Sequence, residues 1–277
     1  PQSSIVKDET LIQAGITDRR ISLFERLFRY HENDLQSNHW AMLTKQGRMH
    51  PDISRFINHE FYNGLLEIVP VHHQKQTIFW EKYDKNHFLQ NIIAKRRIAF
   101  LCSTKHSKDK SFKKNSHEAN LAVQLLLNIY QMYTLNERKF DPNFSVGIIT
   151  PYRSQIALIR HLIHQLNIPD LEKITVDTVE RYQGSQRDII IYSFCVNHAQ
   201  QLDLLSNIYV ENGNNIDRKL NVALTRAREQ MYIIGNPYFL ERNVIFNQLI
   251  LQLKEENNFI EFEDLLEQKI VTELVER

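Results

Sequence analysis

Cysteine is nearly missing from this chain: 277 residues hold two, Cys102 and Cys195, each inside an apolar, strand-like run. So small a supply excludes a disulfide framework and a cysteine-built zinc site, and both thiols read as small buried hydrophobes. Long apolar runs are missing too. No stretch reaches the roughly eighteen continuous residues a membrane span needs, and the opening PQSSIVKDET has neither the basic segment nor the apolar core of a secretion signal. The expectation is a soluble, intracellular, cytoplasmic chain with no membrane partner. Glycine and proline number seven each, too few for a flexible linker to announce a second domain. The twelve histidines show no paired metal-ligand spacing. His72-His73 reads as surface, and no metal site is expected. No repeat or low-complexity tract is found.

Three further absences bear on chemistry. No G-x-x-x-x-G-K-[ST] phosphate loop occurs, and no apolar strand ends in the Asp-Glu pair that holds Mg2+ and directs water in nucleotide hydrolysis. A dinucleotide-binding enzyme requires G-x-G-x-x-G after a strand, and none is found.

What is present describes an ordinary globular polypeptide, 42% apolar and 24% charged, large enough for one big domain or two small ones. The net charge of +1 hides a division. Residues 243–277 hold eight acidic and three basic side chains, net −5, leaving +6 on residues 1–242. The body can meet phosphate, and the acidic tail, taken as 241–277, reads as a solvated helical face. From Arg97 onward, strand-like runs alternate with helical patterns, the mark of a mostly parallel α/β sheet flanked by helices. Strands are expected at Ile98 to Ser103, Ser145 to Thr150, Ile174 to Val176, Asp188 to Phe194 and Met231 to Gly235. Helices are expected at Glu118 to Tyr133 and Arg153 to Leu166. Residues 1–90 form an N-terminal helical extension, with helices at Arg19 to His31, Leu35 to Thr44 and Asp52 to Tyr62, packed on a core of 91–240. Lys105 to Lys114 reads as an exposed basic loop.

Several strings carry the chemistry. DRKLNVALTRAR (Asp217 to Arg228) places Arg226 and Arg228 just ahead of the apolar QMYIIG (Gln230 to Gly235). Two guanidiniums at a sheet edge suit a polyphosphate, so an NTP-driven motor is the first hypothesis. QGRMHP (Gln46 to Pro51) sets Arg48 before a helix starting near Pro51; alone, Arg48 reads as a surface ion pair. TPYRSQ (Thr150 to Gln155) closes a strand and opens a helix. Ligands sit at such strand ends, so Thr150, Tyr152 and Gln155 meet a nucleic-acid backbone or line a nucleotide cleft, or else Pro151 merely starts the helix with Tyr152 packed beneath it. VDTVERYQGSQRDIII (Val176 to Ile191) is a polar turn leading into a buried strand, able to bridge two ligands, where Gly184 lets the backbone approach closely. In KNSHEANLA (Lys114 to Ala122), Asn115 or Ser116 caps a helix with Glu118 in its first turn.

Taken in this order, the strings resemble the superfamily 1 helicases of the branch that includes senataxin and the nonsense-mediated-decay helicase. The resemblance runs from SLFERL (Ser22 to Leu27) to Gly235. QGRMHP is similar to that family's Q-Y-R-M-H-P, which implies that Arg48 reaches the γ-phosphate between two RecA-like domains, with Gln46 beside the nucleotide. Gly47 stands where the family stacks a tyrosine on adenine. The T-P-Y-x-x-Q likeness assigns Thr150, Tyr152 and Gln155 to nucleic acid. The V-D-T-x-x-x-x-Q-G-x-E likeness sets Asp177, Thr178, Gln183 and Gly184 between nucleic acid and ATP, with Gln186 replacing the ribose-holding glutamate. R-R-x-N-V-A-x-T-R-A-R implies that Arg226 is the second γ-phosphate arginine, that Asn221 and Thr225 couple it to nucleic acid, and that Arg228 supports the geometry. The N-x-x-E-A likeness assigns no catalysis.

The resemblance implies a RecA-like domain of the P-loop NTPase type, the C-terminal half of an ATP-dependent helicase or translocase. Its partners would be single-stranded DNA or RNA and the first RecA-like domain of the same parent chain, which would mainly hold Mg2+ with the ATP. Pro1-Gln2 looks like the continuation of the family's G-D-x-x-Q-L-P motif, so the chain is expected to be cut there, monomeric, and inactive alone. The alternative is a non-catalytic helicase-derived module that binds nucleic acid or protein, favoured by Gly47 and Gln186.

Overall fold

The computed structural model describes residues 6–13, 16, 23, 27, 43–76, 79–103, 111–211 and 214–267. The chain divides into two compact units, Pro1–Thr44 and Lys45–Arg277. In the first, the short helix Glu9–Gln13 starts where Asp8 Oδ1 accepts from the Thr10 and Leu11 amides at 2.9 and 3.1 Å, satisfying two of the donors that a helix start leaves over. The helices expected at Arg19 to His31 and Leu35 to Thr44 lie outside the described residues, isolated positions apart.

The second unit is built on parallel strands. In chain order its strands are β1 (Lys45–Gln46), β2 (Glu67–Ile68), β3 (Ile98–Cys102), β4 (Val146–Ile149), β5 (Thr175–Asp177), β6 (Arg187–Ser193), β7 (Ile208–Glu211), β8 (Asn214–Asp217), β9 (Ala227–Gly235) and β10 (Phe259–Ile260). Strands β1 and β2 make a small parallel pair, and β7 and β8 an antiparallel hairpin. The others form one all-parallel sheet in the order β10-β3-β9-β6-β4-β5.

An all-parallel sheet must be covered on both faces, and the sequence obeys: β3 (IAFLC) and β4 (VGII) are buried at every position. Successive side chains point to opposite faces. Phe100, Ile190, Tyr192 and Ile233 therefore enter one core with residues of the helices Pro51–Tyr62 and Val244–Glu255. Ala99, Leu101, Ile148, Ile191 and Ile234 enter the other with the helices Phe88–Lys95, Ser116–Leu135 and Arg153–Gln165. This is the helix-flanked parallel α/β sheet that the alternating pattern foretold, and the RecA-like arrangement that the family resemblance implies.

Each expected strand forms, and the boundaries differ instructively. Strand β9 begins at Ala227, so Arg228 lies inside it, where Ala227 pairs with Arg187 across a register shift. Its polar opening is tolerated because Arg228 pairs with Asp188 and Gln230 accepts from Trp80 Nε1 at 2.9 Å; an apolar pattern cannot see such residues. The segment from residue 241 also does more than present charge. In the helix Val244–Glu255, Ile245, Phe246, Leu249, Ile250 and Leu253 are buried at helical spacing, and β10 adds an edge strand beside β3. Net charge over 243–277 conceals that stripe.

Gly147 shows how tightly this sheet meets the connection from β5 to β6. A Cβ there would collide with the hydroxyl of Tyr182 and approach Arg187 Cγ at 3.0 Å. That hydroxyl donates to Thr175 O at 2.7 Å, and Arg187 Nη2 donates to Thr175 Oγ1 at 2.8 Å. Gly147→Ala should cost about 1–3 kcal/mol through overpacking, read as a lower midpoint in chemical denaturation.

Candidate functional site

Arg48 and Arg226 come from distant elements and meet. Arg226 follows the helix Arg218–Leu224, whose first amides are capped by Asp217: its Oδ1 accepts from Lys219 N and Leu220 N at 2.9 and 3.1 Å. Arg226 Nε donates to Val222 O at 3.0 Å, Nη1 to Ser185 O at 3.2 Å and Nη2 to Thr225 Oγ1 at 3.1 Å. Arg48 lies in the turn after β1. Its Nε donates to Gln186 Oε1 at 2.9 Å and its Nη1 to Thr225 O at 3.1 Å. Thr225 thus serves one guanidinium with its hydroxyl and the other with its carbonyl. The pair sits where β6 and β9 begin, beside the bond from Arg187 N to Arg226 O at 3.0 Å.

The electrostatics of this pair are unbalanced. Arg226 is 9% exposed, and among the described residues no carboxylate pairs with either guanidinium. Burial, and behind it the charge of Arg48, pulls the Arg226 guanidinium below its ordinary value. A buried cation facing a second, half-buried one without a counter-ion is costly, and an anion placed between them removes that cost.

The turn carrying Arg48 is held from several sides. Gln46 Oε1 accepts from Arg48 N and Met49 N at 3.0 and 2.8 Å. Gln74 Nε2 donates to Gln46 O and Met49 O at 3.0 and 2.9 Å. His73 Nε2 bonds Arg48 O at 2.7 Å, while its Nδ1 lies 3.5 Å from Arg228 Nη2. Arg228 Nη1 pairs with Asp188 Oδ1 at 2.6 Å, and Arg228 O accepts from His50 N at 2.8 Å. Gln46 and Arg228 therefore position the turn. His73, expected on the surface, is half-buried and grips the arginine-bearing backbone; no local pattern distinguishes it from a loop histidine.

The connection of residues 178–186 leaves the sheet at the end of β5 and re-enters at the start of β6, so it crosses from the C-terminal to the N-terminal ends of the parallel strands. At its origin, Asp177 Oδ1 accepts from Thr178 N at 2.8 Å and Oδ2 lies 3.6 Å from Arg181 Nη1. Gln183 and Gly184 are exposed. Gly184 has φ +85° with nothing within 4 Å of a Cβ: glycine is required by the left-handed backbone rather than by crowding. Gln186 ends the crossing against Arg48. Asn221 donates to Tyr62 OH at 3.3 Å, and its Oδ1 is buried without a partner.

The opposite edge of the sheet collects the other residues. Thr150 and Gln155 are fully buried; Gln155 exchanges bonds of 2.9 Å with Asn115 N and O, and Thr150 Oγ1 has no partner. Neither presents its polar group to solvent. Tyr152 is half-buried and its hydroxyl accepts from Gln201 Nε2 at 3.0 Å. Asn115 caps the helix Ser116–Leu135 through Glu118 N at 2.9 Å, as its sequence position suggests. Glu118 is wholly buried: its carboxylate accepts from Ser193 Oγ at 2.7 Å, Cys195 N at 2.8 Å and Ser103 Oγ at 3.3 Å. Sequence marks Glu118 as a first-turn helix residue; only the fold shows it bracing the ends of β3 and β6. No three His, Cys, Asp or Glu side chains converge to hold a metal among the described residues, and no described helix is long and apolar enough to cross a membrane.

A parallel sheet flanked by helices on both faces, with an arginine pair where its central strands β6 and β9 begin, is a RecA-like α/β domain, and comparison with known proteins gives the family. An AAA domain family matches residues 19–238. A probable helicase of Dictyostelium discoideum is 32% identical over 242 residues, 86% of this chain and 22% of that protein. The regulator of nonsense transcripts 1 of the same organism is 31% identical over 91% of the chain and 17% of its own length. Helicase sen1 of Schizosaccharomyces pombe is 30% identical over 77% of the chain and 12% of its own length. The chain belongs to this AAA domain family, within the superfamily 1 helicases. It spans less than a quarter of the length of these curated relatives.

Proposed function

We propose that this chain is the second motor domain of an ATP-dependent helicase or translocase, in which Arg48 and Arg226 act on the γ-phosphate of ATP seated mainly on a companion RecA-like domain. The observation that carries this reading is the pair formed by buried Arg226 and half-buried Arg48, which no carboxylate among the described residues neutralises. A γ-phosphate supplies the missing negative charge, and the charge that develops on a transferring phosphoryl group is what such donors stabilise. Mg2+ would be held by acidic residues of the companion domain and would screen the phosphates there. Thr225, shared by both guanidiniums, keeps them convergent, and Gln46, Gln186 and Arg228 keep the turn of Arg48 in place.

Coupling to a single strand comes from the crossing connection. Asp177 and Thr178 at one edge are tied through residues 178–186 to Gln186 and Arg48 at the other, so closure on nucleotide shifts the strand-facing edge. Gln183, Asn221 and Thr225 lie along that route. Single-stranded DNA or RNA would be gripped through phosphates and bases and moved as the two domains close and open.

ATPase measurements on this chain alone and joined to a domain with an intact phosphate loop test the proposal. Background turnover alone and strand-stimulated turnover in the joined protein are expected. Appreciable turnover by the chain alone would refute the division of labour; an inert joined protein would leave the non-catalytic binding module as the reading.

A further inference from the structure

Beyond the edge that holds Tyr152, an aromatic ledge remains open to solvent. Phe112 is 58% and Tyr238 53% exposed. Phe112 meets His198 edge to face, ring centres 4.3 Å apart at 71°. His198 lies 6.3 Å from Phe239, and Phe239 lies 5.0 Å from Tyr238. Arg242 places its guanidinium 4.9 and 5.6 Å from the Tyr238 and Phe239 ring centres. Lys113 and Lys114 are exposed beside Phe112. The nearby Glu241 is paired with Lys254 at 2.9 Å, and Asp203 is exposed on the helix Leu202–Leu205.

The ledge is built onto the same edge as Tyr152. Gln201 Nε2 donates to Phe112 O at 2.7 Å and to Tyr152 OH at 3.0 Å, and Asn197 Nδ2 donates to Lys114 O at 2.7 Å. A row of aromatic rings flanked by lysine at one end and arginine at the other suits an unpaired strand: each base brings a π-face whatever its identity, and each linkage brings a phosphate. A protein partner would need a broad apolar patch instead, and this row of rings is bounded by Lys113, Lys114 and Arg242.

We propose that Phe112, His198, Tyr238 and Phe239, with Arg242, Lys113 and Lys114, form a base-stacking platform for single-stranded nucleic acid. This rests on the proposed function and adds to it a contact made through bases by rings that lie outside every motif. The test is fluorescence anisotropy of the full chain with a labelled oligothymidylate and with an abasic strand of equal length. Phe112→Ala and Tyr238→Ala should each weaken binding to the oligothymidylate about ten-fold, leave the abasic strand unchanged, and be rescued by Phe112→Trp and Tyr238→Phe. Equal loss on both strands, or no loss, overturns the platform. If binding then still falls with Thr178→Ala, the motor reading stands without it. Absence of any strand binding by the wild-type chain overturns both. The substituted side chains are exposed, so truncation opens no cavity, and unchanged melting checks the fold.

Discussion

Arg226→Ala, in the protein joined to a phosphate-loop domain, should lower kcat for ATP hydrolysis by about a thousand-fold, with a smaller change in KM. In the proposed role the loss falls on kcat, because the guanidinium would meet charge that grows only as the phosphoryl group transfers. Arg48→Ala should behave alike, and the double variant should lose little more than either single one, since both act on one group of oxygens. A stability readout separates this role from a structural one. Arg226 is bound to Val222 O, Ser185 O and Thr225 Oγ1 and is itself buried, so its removal loses three part-buried bonds and its packing and lowers the melting temperature. Arg48→Ala loses part-buried bonds to Gln186 Oε1 and Thr225 O but removes the like charge facing Arg226, so stability should stay within about 1 kcal/mol of wild type while turnover falls as in Arg226→Ala. Retained turnover in Arg226→Ala, or a large destabilisation in Arg48→Ala, would refute the assignment.

The second large effect concerns Glu118. Alanine there would leave the Cys195 amide and the Ser193 hydroxyl without an acceptor inside the sheet edge, at about 1–3 kcal/mol for each group. Cys195 adopts φ +52°, a left-handed conformation that its bond to Glu118 helps to hold. Thermal melting of Glu118→Ala should therefore fall by roughly 6–12 °C; a change below about 2 °C would show that the brace is dispensable. Protonation gives a further signature. Burial pushes the Glu118 carboxyl up to about 7 from an ordinary 4.5. The folded chain then keeps a proton that the unfolded chain releases, so this group's contribution is full below pH 4.5 and is lost as pH rises towards 7. Glu118→Gln, with no proton to lose, should gain on wild type across that window by up to about 1.4 kcal/mol per pH unit. Burial pushes His117 down to about 4 and lowers His50 as well, which gives slopes of opposite sign. The difference between wild type and variant isolates Glu118.

Much of this protein was readable in one dimension because its strongest signals are local. Strands buried on both faces must be apolar along their length, so β3 and β4 announce themselves. Asn115 stands at a cap position that any helix start makes recognisable. The strings around Arg48 and Arg226 carried the family likeness, which the comparisons uphold. The rest depended on partners far away in sequence. That Arg48 and Arg226 converge on Thr225, that His73 holds the Arg48 carbonyl, that Gln155 is consumed by Asn115, and that Glu118 is buried beneath Ser193 and Cys195 are facts about pairs separated by 25 to 177 residues. By itself the amino-acid order determined the sheet, its covering helices and the candidate arginines, because burial and capping are settled by neighbours along the chain. Tertiary structure alone decided which polar groups face one another and which have no counter-charge, because electrostatic balance is a property of space rather than of spacing.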